Sequence, residues 1–183
     1  MSSFANRGGN SRSCAYRIPT RWGLWRATFT AAGLRELQLP GTPAPNRRSP
    51  SHCQLEQQEG NLGLAVVQAL LRRLQGQPSE LPWDAFDLQG HPPFFLRAWK
   101  ALYTIPYGEA RTYGQLAKAA GSPKAVRAAG QACAANPIML FIPCHRVVAV
   151  SGIGGFGGGL EWKKRLLALE GIRLKGQAKK NGT

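Results

Sequence analysis

Glycine and proline interrupt this chain so often that no helix or strand in it can run far: 183 residues hold 22 Gly and 13 Pro. Proline removes a backbone donor and clashes with the turn before it. Glycine loses the most backbone entropy on ordering, so both mark the ends of elements. Gly41 to Ser51, with Pro43, Pro45 and Pro50, reads as a loop, and Leu81 to Pro93 as a linker. Cys14 to Pro19, Trp22 to Phe29 and Leu34 to Leu39 read as strands, the last two joined in a hairpin at Ala31-Ala32-Gly33. Asn61 to Gln75 reads as a helix, capped by Asn61, apolar at Leu62, Val66, Ala69, Leu70 and Leu74, and stopped by Gly76 and Pro78. These readings predict an α+β protein. A disordered N-terminus (1–13) precedes a small antiparallel sheet-plus-helix domain (14–80), a linker (81–92), a mostly helical domain (93–175) and a basic tail (176–183).

The second half begins with a helix from Pro93 to Tyr103, burying Phe94, Phe95, Ala98, Trp99 and Leu102, and Ile105-Pro106-Tyr107-Gly108 breaks it. Thr112-Tyr113-Gly114-Gln115 has the form of a capping box, opening a helix that ends at Gly121. Ser122-Pro123 is expected to start the next helix, with Ser as cap and Pro in the first turn, and Asn136-Pro137 to end it after Ala135. Two short helices across so tight a turn suit a helix-turn-helix, and equally an ordinary helical hairpin. The second of them is built from small residues, Ala125, Ala128, Ala129, Gly130 and Ala132 among them, which suits close approach to another backbone.

Lys and Arg number 24 against 9 Asp and Glu, a formal charge of +15. Such an excess points to a polyanionic partner, most simply nucleic acid. It concentrates from Ala110 onward, where Glu161 and Glu170 are the only carboxylates. No segment approaches transmembrane length and no apolar signal segment opens the chain, so a reducing intracellular compartment and free thiols are expected for Cys14, Cys53, Cys133 and Cys144. Cys14, His52, Cys53 and His91 match no metal-ligand spacing, so neither metal nor cofactor is expected.

Reactivity is expected at Phe141-Ile142-Pro143-Cys144-His145-Arg146-Val147-Val148. A thiol attacks as its thiolate, and a neighbouring imidazole and guanidinium lower a thiol's pKa. Glu161 opens the last helix, where a carboxylate suits the helix dipole. Glu170 closes it, where one is disfavoured by roughly 0.3–1 kcal/mol. A residue at a poor position invites a functional reason: Glu170 orients one nitrogen of His145 while the other takes a proton from Cys144, through a bridging water because adjacent residues seldom face each other. The glycine-dense run from Gly152 to Gly159 reads as a tight loop near a ligand rather than a linker, and it lacks a phosphate-loop ending.

Pro143-Cys144-His145-Arg146-Val147 resembles the signature of the O6-alkylguanine-DNA alkyltransferases, the methylated-DNA–protein-cysteine methyltransferases. Arg127-Ala128-Ala129-Gly130, Asn136-Pro137 and Glu170-Gly171 follow the family's order, and the likeness runs from about Ile18 to Ile172. Gly90-His91-Pro92-Pro93-Phe94 departs from the family's Gly-Thr-Pro-Phe. The resemblance implies an RNase H-like N-terminal domain and a winged-helix-like helix-turn-helix domain. It also implies a monomer, cytoplasmic and nucleoid-associated, or nuclear in a eukaryote, acting on double-stranded DNA. The implied reaction is irreversible, single-turnover transfer of an alkyl group from O6-alkylguanine, and from O4-alkylthymine, to Cys144.

For that reaction the resemblance implies Cys144, His145 and Glu170 as the relay, Tyr113 as proton donor and Asn136 as holder of the turn. It implies base contacts at the carbonyls of Cys144 and Val147, at the backbone of Phe156 and Gly157, and near Cys133 and Met139. DNA contact is implied for Thr112, Tyr113, Gln115, Lys124, Arg127, Ala128, Ala129 and Gly130, with Arg127 filling the space of a flipped base in the minor groove. Three other readings are weaker. A damage-recognition relative would lack the acceptor cysteine. A Cys-His hydrolase needs an oxyanion hole that nothing here supplies. A helix-turn-helix regulator needs more base-reading side chains than Arg127 and Gln131.

Overall fold

The structure, a computed structural model, describes residues 13–42 and 60–173. The expected N-terminal disorder, most of the Gly41–Ser51 loop, His52, Cys53 and the basic tail lie outside the described residues. Three strands, β1 (Cys14–Thr20), β2 (Gly23–Thr30) and β3 (Gly33–Gln38), form an antiparallel sheet in that order. β2 is central and alternates: Trp25, Ala27 and Phe29 turn inward while Arg26 and Thr28 stay half-exposed. Helix α1 (Gly60–Leu74) packs Val66, Ala69, Leu70 and Leu74 into the core. It starts one residue before Asn61, so Asn61 lies in the first turn and is not the cap. Cys14 is disulfide-bonded, which corrects the expectation that every cysteine is free.

β3 would present a bare edge, but the linker and a segment of the second half cover it. Phe86 and Ile138 each form a parallel bridge, to Leu34 and Leu37, and Leu37 N donates to Pro137 O at 2.9 Å. Asp87, buried beside them, accepts from Thr30 Oγ1 at 2.7 Å and from Arg35 at 3.2 Å. Trp162 stacks on Trp22 and meets Trp25 edge-on, with ring centroids 5.8 and 5.7 Å apart. Both halves thus share one apolar core, and the segment leading to Cys144 is seated on the sheet.

Helix α2 (Pro93–Tyr103) opens on Pro93 and buries Ala98, Trp99 and Leu102. Strand β4 (Arg111–Thr112) leads into α3 (Tyr113–Ala119), whose capping box forms as expected: Thr112 Oγ1 accepts from Gln115 N and Gln115 Oε1 accepts from Thr112 N. Helix α4 (Val126–Ala134) begins later than expected, because Ser122 to Ala125 closes a turn in which Ala125 N donates to Ser122 O at 2.9 Å. Some of its small residues serve internal packing. Ala129 and Ala132 are fully buried, and Trp99 Nε1 donates to Ala132 O at 2.8 Å.

The apolar run Ile138 to Ile142, whose composition alone would suit a strand, is a turn. Leu140 takes φ 78°, the one positive φ at a non-glycine among the described residues, and Ile142 N donates to Ile138 O at 3.0 Å. A 3-10 turn, Cys144–Arg146, follows. Strand β5 (Val147–Val148) then pairs in parallel with β4, and α5 (Leu160–Leu169) completes the fold. The β4–β5 pair brings the cysteine turn beside the start of α3.

Candidate active site

Asn136 holds the cysteine turn from three sides. Its Nδ2 donates to Ile142 O at 2.7 Å and to Cys144 Sγ at 3.1 Å, and its Oδ1 accepts from Ile138 N at 3.1 Å. A buried amide with these bonds cannot rotate without breaking a donor–acceptor pair. Sγ therefore sits in a fixed place, 2 % of Cys144 being exposed. Burial pushes this thiol up to about 11, against the lowering supplied by Asn136 and by Lys163. Burial thus outweighs the lowering expected from the flanking His145 and Arg146, and the thiol needs a base to take its proton when it reacts.

The candidate base follows on the next residue. His145 Nε2 lies 2.9 Å from Glu170 Oε1, and its Nδ1 is buried with no protein partner. Glu170 caps the end of α5 and receives Arg146 as a two-pronged clamp, Nε to Oε2 at 2.7 Å and Nη2 to Oε1 at 2.9 Å. Burial pushes the Glu170 carboxyl up, but the hydrogen bonds from His145 and Arg146 outweigh it and hold it at about 2. Burial, opposed by Glu170 and aided by Arg146 and Arg73, lowers the His145 pKa, so the imidazole is neutral and able to accept a proton.

Tyr113 flanks the same space. Burial raises its pKa, and the nearby Cys133 and Cys144 raise it further, so it remains a donor. Its hydroxyl donates to Gly155 O at 3.2 Å. A Cβ on Gly154 (φ +70°) would meet the Tyr113 ring at 3.0 Å, so only glycine lets the loop lie on this ring. A Cβ on Gly157 would stand 3.5 Å from Met139 Cε and from Ala134 O, so the glycine-rich loop folds over the end of α4. Phe156 is half-buried and Gly157 exposed at the rim, while Cys133 is buried, its pKa raised by burial and by Cys144.

The structure departs from the expected DNA contacts at one residue. Ala129 is fully buried and cannot meet a partner, whereas Arg127 and Lys124 are exposed and Ala128 and Gly130 half-buried. Gly130 faces the Tyr113 ring, its Cβ position 4.0 Å away. Gln115 and Thr112 have their side chains engaged in the capping box, though Gln115 is exposed. Val147 is buried and its carbonyl already accepts from Lys163 Nζ, and the Cys144 carbonyl accepts from Val147 N, leaving each one lone pair free for a further donor.

The family profile described as "6-O-methylguanine DNA methyltransferase, DNA binding domain" matches residues 93–172. A methylated-DNA–protein-cysteine methyltransferase of Mycolicibacterium paratuberculosis is 54% identical over 85 residues, 46% of this chain and 51% of that protein. One from Methanosarcina acetivorans is 48% identical over 91 residues, 48% of this chain and 58% of that protein. The chain thus spans about half the length of the curated relatives it matches. The crystal structure of Mycobacterium tuberculosis O6-methylguanine methyltransferase superposes with a TM-score of 0.71 at 34% identity, covering 92% of this chain and 96% of that one. This chain belongs to the methylated-DNA–protein-cysteine methyltransferase family. Another crystal structure of the Mycobacterium tuberculosis protein, OGT in complex with DNA, superposes with a TM-score of 0.69 at 34% identity over 86% of this chain and 91% of that one.

Two buried charged residues beside the cluster of Cys144, His145 and Glu170 were passed over by the sequence reading. Lys163 is fully buried and donates from Nζ to the carbonyls of Val147 and of Gly155, the latter at 2.8 Å. Burial brings its pKa down to about 8, against the pull of Cys144 and Cys133. Arg73, from α1, donates to Glu170 Oε1 at 3.3 Å. Both could have been found by periodicity. Lys163, Leu166, Leu167 and Glu170 share one helical stripe, as do Val66, Ala69, Leu70 and Arg73, and a charge on an apolar stripe needs a partner inside.

Proposed function

We propose that this protein repairs alkylated DNA by moving the alkyl group from O6 of guanine to Sγ of Cys144. The observation that carries the proposal is one cluster: Cys144 Sγ fixed by Asn136 at 3.1 Å, the buried His145–Glu170 pair at 2.9 Å one residue on, and Tyr113 alongside. In the reaction the Sγ–carbon bond forms as the carbon–O6 bond breaks, and the electron pair of the broken bond passes to O6. The thiol proton goes to His145 Nδ1 through a bridging water, and Glu170 stabilises the imidazolium. Tyr113 turns its hydroxyl from Gly155 O to the guanine and supplies a proton as charge develops there. The thioether product is stable and, among the described residues, none is placed to activate a water against it, so each molecule acts once. The same displacement at O4 of thymine is chemically equivalent.

DNA recognition in this reading belongs to α4. Arg127 on this helix and Lys124 in the turn before it are exposed, and in this reading Arg127 occupies the gap left by the flipped base. Flipping costs a few kcal/mol, which phosphate contacts from the basic second half offset. The partner is double-stranded DNA containing alkylated guanine, bound by a monomer. The test is intact mass after incubation with DNA containing O6-methylguanine. The protein should gain one methylene, and Cys144→Ala should gain nothing. An unchanged mass in the unsubstituted protein would end the proposal.

A further inference from the structure

The carboxylate behind the histidine is held by two guanidinium groups, and one comes from the other half of the chain. Arg73, on α1, is buried, with 3 % of its side chain exposed, and donates from Nη1 to Glu170 Oε1 at 3.3 Å, the oxygen that also faces His145 Nε2 at 2.9 Å. Its Nε donates to Ser79 O, which fixes the guanidinium from behind. Tyr107 lies against both arginines, Arg73 at 5.4 Å and Arg146 at 5.6 Å from its ring centroid, while its hydroxyl donates to Gly76 O at 2.8 Å and Leu169 O at 3.0 Å. The ends of α1 and α5 are thus tied at the point where Arg73 reaches across.

Charge counting gives this contact a consequence. Arg146 alone would neutralise Glu170. Arg73 adds a second positive charge to the same buried carboxylate, so the cluster carries a net positive charge while His145 is neutral. The groups facing His145 and Glu170 are Arg146, Arg73 and, from the 105–108 turn, Tyr107 and the Gly108 N–H, with Glu80 acting on Arg73 from the far side. Lys163 acts on the sulfurs of Cys144 and Cys133. A positive charge held near an imidazole opposes its protonation.

We propose that Arg73 is a positioning residue of the alkyl-transfer reaction, through which the N-terminal half fixes Glu170 and keeps His145 unprotonated until the thiol gives up its proton. The inference rests on alkyl transfer to Cys144. It assigns the sheet-and-helix half a part in the chemistry, beyond supporting the fold. Both guanidiniums are needed for it: Arg146 orients the carboxylate, and Arg73 supplies the charge that leaves the histidine free.

The test is the pH dependence of single-turnover transfer from O6-methylguanine DNA in the full chain, with Arg73→Met and Arg73→Lys beside it. The acid limb should report His145. In Arg73→Met its midpoint should move up by about half a pH unit or more, and in Arg73→Lys it should stay near that of the unsubstituted protein. A uniform loss of rate with an unmoved midpoint would overturn the proposal and leave Arg73 a packing residue. Should Arg73→Met not fold, Arg73→Gln replaces it, and His145 is titrated by NMR in that variant and in the unsubstituted protein, with the signal assigned by its loss in His145→Gln. The imidazole should titrate higher in Arg73→Gln than in the unsubstituted protein, and equal titration in the two would overturn the proposal. Absence of any methyl gain in the unsubstituted protein would sink the transfer reading instead, and the NMR titration does not depend on it.

Discussion

Glu170 shows how much one side chain can be asked to do. It orients His145, pairs with Arg146 and Arg73 and accepts from Gly108 N at 3.5 Å, with 3 % of the side chain exposed. Removing one member of a buried ion pair strands the others, so Glu170→Ala should cost about 3–5 kcal/mol by urea unfolding. Its pKa, about 2 in the fold against 4.5 for a free glutamate, gives the pH window. A depressed carboxylate stabilises the fold above its unfolded pKa and loses that contribution as pH falls from 4.5 towards 2. The urea midpoint should drop across that interval and drop less in Glu170→Gln. A parallel decline in both proteins would show that Glu170 is not the group responsible. The contact between Glu170 and His145 was legible from the poor place of Glu170 at the end of a helix. The protonation of Cys144 was not. Flanking His145 and Arg146 suggested a thiolate, but sequence adjacency says nothing about burial, and burial decides the thiol here.

At the scale of elements, α4 carries the interaction with DNA in the proposed reading. Arg127→Ala should slow repair in duplex DNA by an order of magnitude or more, about the cost of losing a contact worth 1.4 kcal/mol, while transfer from free O6-benzylguanine should change little. Equal losses on both substrates would remove Arg127 from base flipping. Elements marked by local chemistry were readable in the sequence. The capping box at Thr112 and Gln115 forms as its spacing required, and α2 runs from Pro93 to Tyr103 as expected. Elements set by tertiary contact were less so. Ser122-Pro123 has the composition of a helix start but closes a turn before α4, and Ile138 to Ile142 looks like a strand until Leu140 takes a positive φ and turns the chain towards Asn136. Nor could the pattern of small residues in α4 tell that Ala129 faces inward.

Across the whole molecule, the two halves form one body around one core. β3 takes Phe86 and Ile138 on its edge, Trp162 packs on Trp22 and Trp25, and Arg73 reaches Glu170. Arg73 shows in the sequence only as a charge on an apolar helical stripe, and its partner, like the other contacts between distant residues, has no local signature. Leu39 shows how closely the halves fit: a Cβ on Gly158 would stand 2.1 Å from Leu39 Cδ1, so the glycine-rich loop is pressed onto the chain just beyond β3. Among the described residues no helix is long and apolar enough to cross a membrane. What the molecule builds is a buried sulfur held by Asn136, with the paired His145 and Glu170 one residue on. The direct test is peptide-level mass analysis after exposure to an excess of O6-methylguanine DNA. The account predicts one methyl group per protein molecule, on Cys144, with Cys133 unmodified. A methyl group on Cys133, more than one per molecule, or none on Cys144 would contradict it.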